Sequence, residues 1–360
     1  MCARKAKALR AAFIGAGGIA KPHLDALARI DEVEVVALAD VNTKVMEEHA
    51  EAYAIDSSGL YTDYKKMLAK VKPEVVFVCT PNGLHAPASI AASKAGAHVM
   101  VEKPMAMNAR EAKRMIDAAK KARKKIICGL QFRFDPKTQF LKKQVDAGQL
   151  GNIMFGRVQA MRRRGIPNWG VFGQKELQGG GPMIDIGVHA LEMCHYVMGS
   201  PKPIAASGMT WTYLGDKPSD QIECLWPNWD HKNYDVEDLA VGHIRFDNGA
   251  VIHIESSFIA HIEPTSIMDF QLMGTKGGCK WDSSTVSTDQ HGYMIDYKPT
   301  YNTPGDFNEN FYRKNRNFID HLLYGAKPIA PTEDGLMVQQ MLDAIYQSAD
   351  KGGKEVRISP

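Results

Sequence analysis

The sequence predicts a two-domain α/β protein, in which a doubly wound parallel sheet is followed by an α+β domain with a large, mostly antiparallel sheet. Strand-like and helix-like segments alternate up to about residue 130, which is the pattern of successive βαβ units. Strand-like segments dominate beyond about residue 200. The length of 360 residues exceeds that of one ordinary core, so we predict a first domain at residues 1–130 and a second at residues 131–360, whose last helix can pack back on the first domain.

The first domain contains strand-like segments that each run into a turn or a helix. One of them, "PEVVFVCTPN", is almost continuously apolar, as expected of a strand in a parallel sheet covered on both faces. The predicted strands are "LRAAFIGAG", "VEVVALADVN", "PEVVFVCTPN", "AHVMVEKP" and "KIICGLQFR". The predicted helices are "GIAKPHLDALARI", residues 43–54, "YTDYKKMLAK", "HAPASIAASKAG" and "NAREAKRMIDAAKKARK".

The second domain begins with a predicted helix at residues 135–148 and a long strand, "IMFGRVQAMRRR". A loop rich in glycine and aromatic residues follows at 165–181, and apolar side chains at helical spacing predict a helix over 181–199. Further predicted strands are "PIAASGMTWTYL", "DLAVGHIRFDNGAVIHIESSFI" and "IMDFQLMGTKGGCKWD". The "DNG" sequence at 247–249 predicts a hairpin turn, and the end of the chain is again helical.

The composition excludes several classes of function. Lys and Arg number 44 against 41 Asp and Glu, so the formal net charge is only +3 and we expect no nucleic-acid partner. No apolar run reaches the length of a membrane span, and the basic start "MCARKAKALR" leads into no signal-peptide pattern. We therefore expect a cytoplasmic protein with no membrane partner. The six cysteines include no CxxC pair, which favours reduced thiols and no metal site.

A glycine-rich turn, "GAGGIA", follows the first predicted strand and opens a helix. In this GxGxxA pattern Gly15 permits the tight turn, Gly17 lets a pyrophosphate approach the main chain, and Ala20 keeps helix and sheet close. Gly18 and Ile19 complete the turn, where the N–H groups of the helix start attract phosphate. The turn predicts a Rossmann dinucleotide-binding domain, although the same letters also fit a plain tight turn.

Asp40 ends the second predicted strand, in the position from which a carboxylate accepts hydrogen bonds from the adenosine ribose hydroxyls. A carboxylate there repels a 2′-phosphate, and the following Val41 and Asn42 offer no cation to receive one. We therefore expect NAD as the cofactor rather than NADP. The alternative is that Asp40 caps the helix that follows.

Two polar segments end the next parallel strands, at the edge where ligands bind in such sheets. They are Thr80-Pro81-Asn82 and Glu102-Lys103-Pro104. These two segments resemble motifs of the Gfo/Idh/MocA oxidoreductase family. The resemblance covers nearly the whole chain and includes the glycine turn, the pair Asp185 and His189, and the C-terminal "EDGLMVQQMLDAIYQSA". That family includes glucose–fructose oxidoreductase and inositol dehydrogenases.

The resemblance implies roles for individual residues. Lys103 corresponds to the active-site lysine of the family, and Asp185 and His189 correspond to the acid and the imidazole that complete the catalytic site. It also implies that the Lys103–Pro104 peptide bond is cis and that the protein forms a homo-oligomer, such as a dimer, a tetramer or a larger assembly. The residues implied to bind the cofactor are Gly15, Gly17, Gly18, Ile19, Ala20, Asp40, Thr80, Pro81, Asn82, His85, Glu102 and Lys103.

The chemistry of alcohol oxidation agrees with these roles. It removes a hydride from carbon, which a nicotinamide accepts, and a proton from oxygen. The imidazole of His189 is a natural acceptor for that proton near neutral pH, while Lys103 stabilises a developing alkoxide. Asp185 one turn away would orient the substrate or the imidazole. Taken alone, however, an acid near a helix start and a histidine four residues later are common structural features.

Candidate substrate-binding residues surround this set. Gln131 follows a predicted strand and is expected near the mouth of the site, while Trp169 and Phe172 offer an apolar platform for a sugar ring. Strand alternation puts Arg162 and Arg164 on one face and Arg163 on the other, and the sequence does not say which face points inward. The predicted substrate-binding residues are Lys103, Gln131, Arg163, Trp169, Asp185 and His189.

The segment "RRRGIPNWG" and the triple glycine after it look most like family members that act on glycosides or anhydrosugars. We therefore expect an NAD-dependent dehydrogenase that transfers a hydride from C3 of a glucoside and produces a 3-keto-glycoside. Three alternatives stay open: an inositol or free aldose dehydrogenase, an NAD-dependent glycosidase that works by oxidation and elimination, and a non-catalytic NAD-binding sensor.

Overall fold

Six strands form one sheet and nine form another in a computed structural model that describes residues 8–218, 223–300 and 305–359. The strands are β1 (Leu9–Ile14), β2 (Val33–Ala39), β3 (Leu60–Tyr61), β4 (Val75–Val78), β5 (His98–Val101), β6 (Ile126–Cys128), β7 (Ile153–Arg162), β8 (Pro203–Trp211), β9 (Leu239–Phe246), β10 (Val251–Ser257), β11 (Ser266–Gly274), β12 (Gly277–Lys280), β13 (Thr285–Gln290), β14 (Tyr293–Tyr297) and β15 (Val356–Arg357). The helices are α1 (Ala20–Leu27), α2 (Thr43–Ala52), α3 (Tyr64–Val71), α4 (His85–Lys94), α5 (Ala109–Lys121), α6 (Pro136–Asp146), α7 (Lys175–Gln178), α8 (Val188–Val197), α9 (Phe307–Tyr324) and α10 (Thr332–Ala349). The two sheets confirm the predicted fold class.

The chain divides into two compact units whose boundaries differ from the predicted ones. The first unit contains Met1–Phe134 and Asp306–Gly335, and the second contains Asp135–Gly305 and Leu336–Pro360. The sequence placed all residues beyond 130 in one domain. The difference arises because α9 carries apolar side chains that belong to the core of the first unit.

The first unit is built on a wholly parallel sheet with the strand order β3-β2-β1-β4-β5-β6. From β1 the chain moves outward through β2 and β3, and then returns to the other side of β1 for β4. The carboxyl ends of β1 and β4 therefore form the switch point at which such sheets bind ligands.

The core of the first unit joins residues from opposite ends of the chain. Phe13 on β1 stacks on Phe77 of β4 with ring centroids 5.0 Å apart, and Phe318 of α9 meets Phe77 edge-on at 6.3 Å. Phe318 and the neighbouring Ile319 are fully buried in this cluster. Burial of such side chains stabilises the unit by about 2 kcal/mol each, so α9 is an integral part of it.

The second unit contains the nine-stranded sheet, in the order β14-β13-β12-β11-β7-β10-β9-β8-β15. The central strand β7 pairs in parallel with β10, and the other pairs are antiparallel. The predicted hairpin turn joins β9 to β10, with Gly249 at a φ of +85°. Gly156 on β7 lets α8 approach the sheet closely, because a Cβ there would lie 3.0 Å from the sulfur of Cys194.

None of the helices in the described ranges is both long and apolar enough to cross a membrane. Within the same ranges, no cluster of three or more His, Cys, Asp and Glu side chains has the arrangement of a metal site. The five cysteines of the described part carry free thiols, and Cys2 lies outside the described residues.

Candidate functional site

The glycine turn lies at the switch point of the first unit. Gly15 has a φ of +92°, and a Cβ at this position would lie 2.6 Å from the main-chain carbonyl of Cys79. Gly17 and Gly18 differ, because no described atom lies within 4 Å of a Cβ built on either of them. Helix α1 starts at Ala20 without a side-chain cap; the Ala20 N–H donates to the Gly17 carbonyl at 2.9 Å, and the positive end of the helix dipole points at the turn. The turn is therefore closed on the sheet side and open where a pyrophosphate would lie.

We expect Gly15→Ala to lower the free energy of unfolding by more than about 2 kcal/mol, because alanine at this φ is strained and clashes with the main chain. Urea denaturation measures the effect. The matched control is Gly18→Ala, where space is open, and it should change stability by less than about 0.5 kcal/mol while weakening NAD binding. Equal stability of the two variants would contradict this account of the turn.

Asp40 is held beside the glycine turn by two hydrogen bonds. Its Oδ2 accepts from the Ala16 N–H at 2.6 Å, and its Oδ1 accepts from the Asn42 N–H at 2.9 Å. Asn42 is the residue that caps α2, by accepting from the N–H of Val45. The helix-cap alternative for Asp40 is therefore wrong. Its carboxylate stays fixed at the carboxyl end of β2, where it can accept further bonds from ribose hydroxyls.

We expect the double substitution Asp40→Ala and Val41→Arg to raise the ratio of kcat/KM for NADP to that for NAD about 100-fold, because it replaces charge repulsion of a 2′-phosphate by attraction. Val41 is 88% exposed, so the new side chain meets no steric obstacle. Initial rates with both cofactors measure the ratio. Asp40→Asn serves as the control that removes the charge without adding a cation, and an unchanged ratio in the double variant would refute the assignment of Asp40.

The residues after β4 form a compact polar turn. Thr80 and Pro81 precede the short 3₁₀ turn Asn82–Leu84, and His85 begins α4. The two ring nitrogens of His85 lie 2.8 Å from the Pro104 carbonyl and 2.9 Å from the Thr80 carbonyl. Because His85 is only 1% exposed, burial lowers its pKa, and the two carbonyl contacts oppose that shift. His85, predicted to contact the cofactor, thus joins the two strand-end loops.

The Lys103–Pro104 peptide bond is cis, as the family resemblance implied. Lys103 itself is half-buried, whereas the neighbouring Glu102 is only 2% exposed. The Glu102 carboxylate contacts His23 and Lys314, two residues that the sequence reasoning missed. Glu102, predicted to line the nicotinamide end, instead has its carboxylate in the interior. Burial alone raises the pKa of Glu102, but the Lys314 ammonium and the His23 hydrogen bond outweigh it and keep the pKa below its usual range.

Gln131, expected near the mouth of the site, is also buried. It lies in the 3₁₀ turn Gln131–Phe134 and is 2% exposed. Arg133 in the same turn is fully buried and pairs with Asp334 at the start of α10. The turn is thereby fastened inside the first unit, which explains why Gln131 does not reach the surface.

In the second unit, a buried carboxylate shapes the helix start that carries Asp185 and His189. Glu237 accepts from the Gly181 N–H at 2.8 Å, from the Met183 N–H at 3.2 Å and from the Tyr346 hydroxyl at 2.8 Å. A Cβ at position 181 would lie 2.0 Å from the Glu237 carbonyl oxygen, so only glycine fits there. Burial raises the pKa of Glu237, and the hydrogen bonds that it accepts oppose the shift.

The segment 181–199 is not one uniform helix. Residues Met183–Gly187 form a π-helical turn, and α8 starts only at Val188. Asp185 lies half-buried in the π-helical turn, and His189 lies in the first turn of α8 with 8% exposure. The acid and the imidazole therefore occupy adjoining turns of different helical pitch, a feature often found at functional sites.

Arg162, rather than Arg163, is the arginine within electrostatic reach of Asp185. Burial lowers the pKa of Arg162, and the charge of Asp185 opposes the shift. The Arg162 guanidinium lies 5.2 Å from the ring centroid of Trp226 and donates to the Gly165 carbonyl at 3.1 Å. Arg163, predicted to bind substrate, instead donates to the Glu263 carbonyl and lines an open cavity with Arg164 and His261. Strand β7 ends at Arg162, so Arg163 and Arg164 lie beyond it and both line this cavity; the expected placement of Arg164 on the face of Arg162 is therefore wrong.

Trp169 belongs to an aromatic cluster in the second unit. Its ring meets that of Trp226 edge-on at 4.8 Å and that of Phe172 at 6.1 Å, and the side chain is 50% exposed. With the Arg162 guanidinium over the ring of Trp226, the cluster extends from the neighbourhood of Asp185 to the surface. It is an exposed aromatic face of the kind that packs on the C–H groups of a sugar.

Comparisons with known proteins extend these observations. Residues 9–130 match the family model of an oxidoreductase family with an NAD-binding Rossmann fold, and residues 142–358 match the C-terminal α/β domain of the same family, Gfo/Idh/MocA. The chain is 38% identical to D-glucoside 3-dehydrogenase of Escherichia coli (strain K12) over 96% of each protein. It is 26% identical to levoglucosan dehydrogenase of Pseudarthrobacter phenanthrenivorans over 87% of each. A solved structure of levoglucosan dehydrogenase in complex with NADH superimposes with a TM-score of 0.83 at 25% identity, covering 98% of this chain and 100% of that one.

Proposed function

Because the chain belongs to the Gfo/Idh/MocA family of NAD-binding sugar oxidoreductases, we propose that it oxidises the C3 hydroxyl of a glucoside to a 3-ketone. The observation that carries the proposal is the 38% identity to a D-glucoside 3-dehydrogenase over 96% of both chains. This similarity spans the turn with Gly15, the Glu102-Lys103-Pro104 segment and the helix start with Asp185 and His189.

The first unit supplies the residues proposed to hold NAD. The pyrophosphate would lie over Gly17, Gly18 and the start of α1, where the structure leaves space and the positive end of the helix dipole favours an anion. The adenosine ribose would bind Asp40, and the nicotinamide end would approach Thr80-Pro81-Asn82. Bound NAD supplies the acceptor for the hydride that leaves C3.

The side chains of His189 and Lys103 are proposed to carry out the proton transfer from the C3 hydroxyl and to stabilise its oxygen. His189 takes the proton of the C3 hydroxyl as that carbon loses its hydride, so that the products are a ketone and an imidazolium. Lys103 donates a hydrogen bond to the same oxygen while negative charge develops on it. Asp185, with Arg162 nearby, orients neighbouring hydroxyl groups, and Trp169 supports the apolar face of the sugar. In this set Arg162 takes the place first predicted for Arg163.

A deuterium-labelled substrate tests the proposal most directly. Methyl glucoside labelled at C3 should show a slowed rate of NADH formation and should deliver its deuterium to the nicotinamide, whereas label at C2 should stay in the sugar. Oxidation of inositols or free aldoses alone would favour the first alternative activity. Release of the aglycone without net NADH would indicate a glycosidase, and NAD binding without turnover of any sugar would indicate a sensor.

We also propose that the protein acts in the cytoplasm as a homo-oligomer. Strand β14 supports an interface between copies, because Tyr293 and Met294 on this edge strand are 74% and 79% exposed. An edge strand with large exposed apolar side chains is a favourable surface for association. Light scattering after size-exclusion chromatography gives the number of subunits.

A further inference from the structure

A cluster of charged and polar side chains lies in the interior of the first unit, next to Lys103. It consists of Glu102 after β5, His23 on α1, and Lys314 and Asn315 on α9; we call it the Glu102 cluster. All four residues are at most 2% exposed. Full burial of an ammonium and a carboxylate costs stability, and well-packed apolar side chains in their place often give a protein that is equally or more stable. The position beside the active-site lysine suggests a role other than stability.

The hydrogen bonds define which groups are charged. The Nζ of Lys314 donates to Oε1 of Glu102 at 2.7 Å, and the Nε2 of His23 lies 2.9 Å from the same oxygen. The Lys314 Nζ is only 3.5 Å from the His23 Nε2, so a second positive charge on the imidazole would be strongly repelled. His23 is therefore neutral, with its proton on Nε2, and Glu102 and Lys314 are both ionised.

Because the proton of neutral His23 is on Nε2, the role of its Nδ1 and of the group that contacts it can be assigned. The Nδ1 of His23 lies 3.0 Å from Oδ1 of Asn315. Because the unprotonated Nδ1 must accept a hydrogen bond, the amide of Asn315 is assigned with its oxygen and nitrogen exchanged. The NH₂ group of Asn315 is the donor that fits, and its nitrogen otherwise has no partner among the described residues. With the amide in that orientation, the bonds from Lys314 and His23 to Glu102 and from Asn315 to His23 each join a donor to an acceptor, and the Lys314 Nζ and His23 Nε2 are two donors that share Oε1 of Glu102.

The second oxygen of Glu102 connects the cluster to the proposed active site. Oε2 accepts from the main-chain N–H of Lys103 at 3.2 Å, so the carboxylate holds the peptide from which the lysine side chain extends. The main chain of Gly129 lies close to both Oε1 of Glu102 and the Lys314 ammonium. A Cβ on Gly129 would lie 2.6 Å from Oε1 of Glu102 and 3.2 Å from Nζ of Lys314. The carboxylate is therefore packed against the main chain of Gly129, with one oxygen held by the Lys103 N–H and the other by the cation from α9.

We propose that Lys314 is a positioning residue, which keeps the Glu102 carboxylate ionised and oriented so that it fixes the main chain of Lys103. The proposal rests on the proposed dehydrogenase function for its catalytic consequence. The titratable groups that face Glu102 are His23 on α1, Cys79 after β4, His85 at the start of α4, the adjacent Lys103, and Lys314 on α9. Of these, Lys314 is the cation in direct contact with the carboxylate.

The test compares K314M with wild type. Without the ammonium, buried Glu102 should take up a proton near neutral pH, which weakens its bond to the Lys103 N–H. We expect kcat for the sugar to fall about 10–100-fold at pH 7, with KM for NAD changed less than about threefold, because a small misplacement of a catalytic group has effects of this size. The kcat of K314M should recover toward wild type as the pH rises and Glu102 ionises again.

A spectroscopic readout independent of turnover accompanies the kinetics. Infrared spectra of protein with ¹³C-labelled glutamate should show a carboxylic acid C=O band in K314M at pH 7, and this band should be absent from wild type and from the double variant K314M/E102Q. The double variant carries neither buried charge, so its Tm should be close to or above that of wild type. Its kcat should stay low and should not recover with pH.

The results of these experiments distinguish a positioning role of Lys314 from a purely structural role. Wild-type kcat in K314M, or recovery of kcat together with Tm in K314M/E102Q, would overturn the proposal and leave the cluster a purely structural role. Loss of kcat in K314M without the acid band or the pH-dependent recovery would also overturn it. If K314M does not fold, the comparison of kcat and Tm between K314M/E102Q and wild type still tests the proposal. Failure of wild type to oxidise any sugar would count against the proposed function, while the infrared result, measured without substrate, would stand on its own.

Discussion

Lys103→Met is expected to lower kcat for glucoside oxidation about 10³-fold, with a much smaller change in the Kd for NAD. Methionine keeps the length of the side chain and removes the ammonium that would stabilise the developing alkoxide at C3. Because Lys103 is half-buried at a strand end, the substitution should disturb packing little. Absorbance of NADH measures kcat, and fluorescence titration measures NAD binding.

The control for this experiment is Lys113→Met, in the same unit. The side chain of Lys113 is 68% exposed and lies 3.9 Å from Asp117, so its loss should change kcat by less than about twofold. A Lys103→Met enzyme that kept more than a tenth of the wild-type kcat would show that this lysine does not act at the reacting oxygen.

His189→Asn is expected to lower kcat about 10²–10⁴-fold, because the variant lacks the base proposed to take the hydroxyl proton. The pH profile identifies the base. A base must be unprotonated to act, so the wild-type kcat should fall as the pH drops through the pKa of the imidazole. That acidic limb should be missing from the residual activity of His189→Asn.

The matched control is His291→Asn in the same unit. His291 is exposed and has a φ of +53°, a conformation that asparagine tolerates well. Its kcat and its pH profile should equal those of wild type. If the acidic limb persists in His189→Asn and is lost in Lys103→Met, the base is the lysine and the two roles proposed here must be exchanged.

Local patterns in the sequence predicted most of the first unit. A strand followed by Gly15 and Gly17, an acid at the end of the next strand, and apolar parallel strands each follow from short-range rules of geometry. These rules located the glycine turn and Asp40, which the structure joins through a hydrogen bond to Ala16. The cofactor type followed from the same two features.

The parts that the sequence did not predict depend on contacts between distant residues. No local pattern distinguishes Lys314, because its partner Glu102 lies 212 residues earlier in the chain. The π-helical turn at Met183–Gly187 forms where Glu237, from a separate segment, takes up the first N–H groups. The inward face of β7 likewise depends on tertiary packing, which is why the sequence could not decide between Arg162 and Arg163.

The place of α9 has a consequence for biosynthesis. Phe318 and Ile319 complete a core whose other members, such as Phe13 and Leu24, leave the ribosome some three hundred residues earlier. Domains generally fold as units during translation, beginning at the N-terminus. Here an apolar surface of the nascent parallel sheet stays uncovered until α9, some three hundred residues after β1, has been synthesised. The parallel sheet, although translated before strands β7 to β14 of the second sheet, is therefore covered only after them, and its uncovered apolar surface offers a binding site to a chaperone in the meantime.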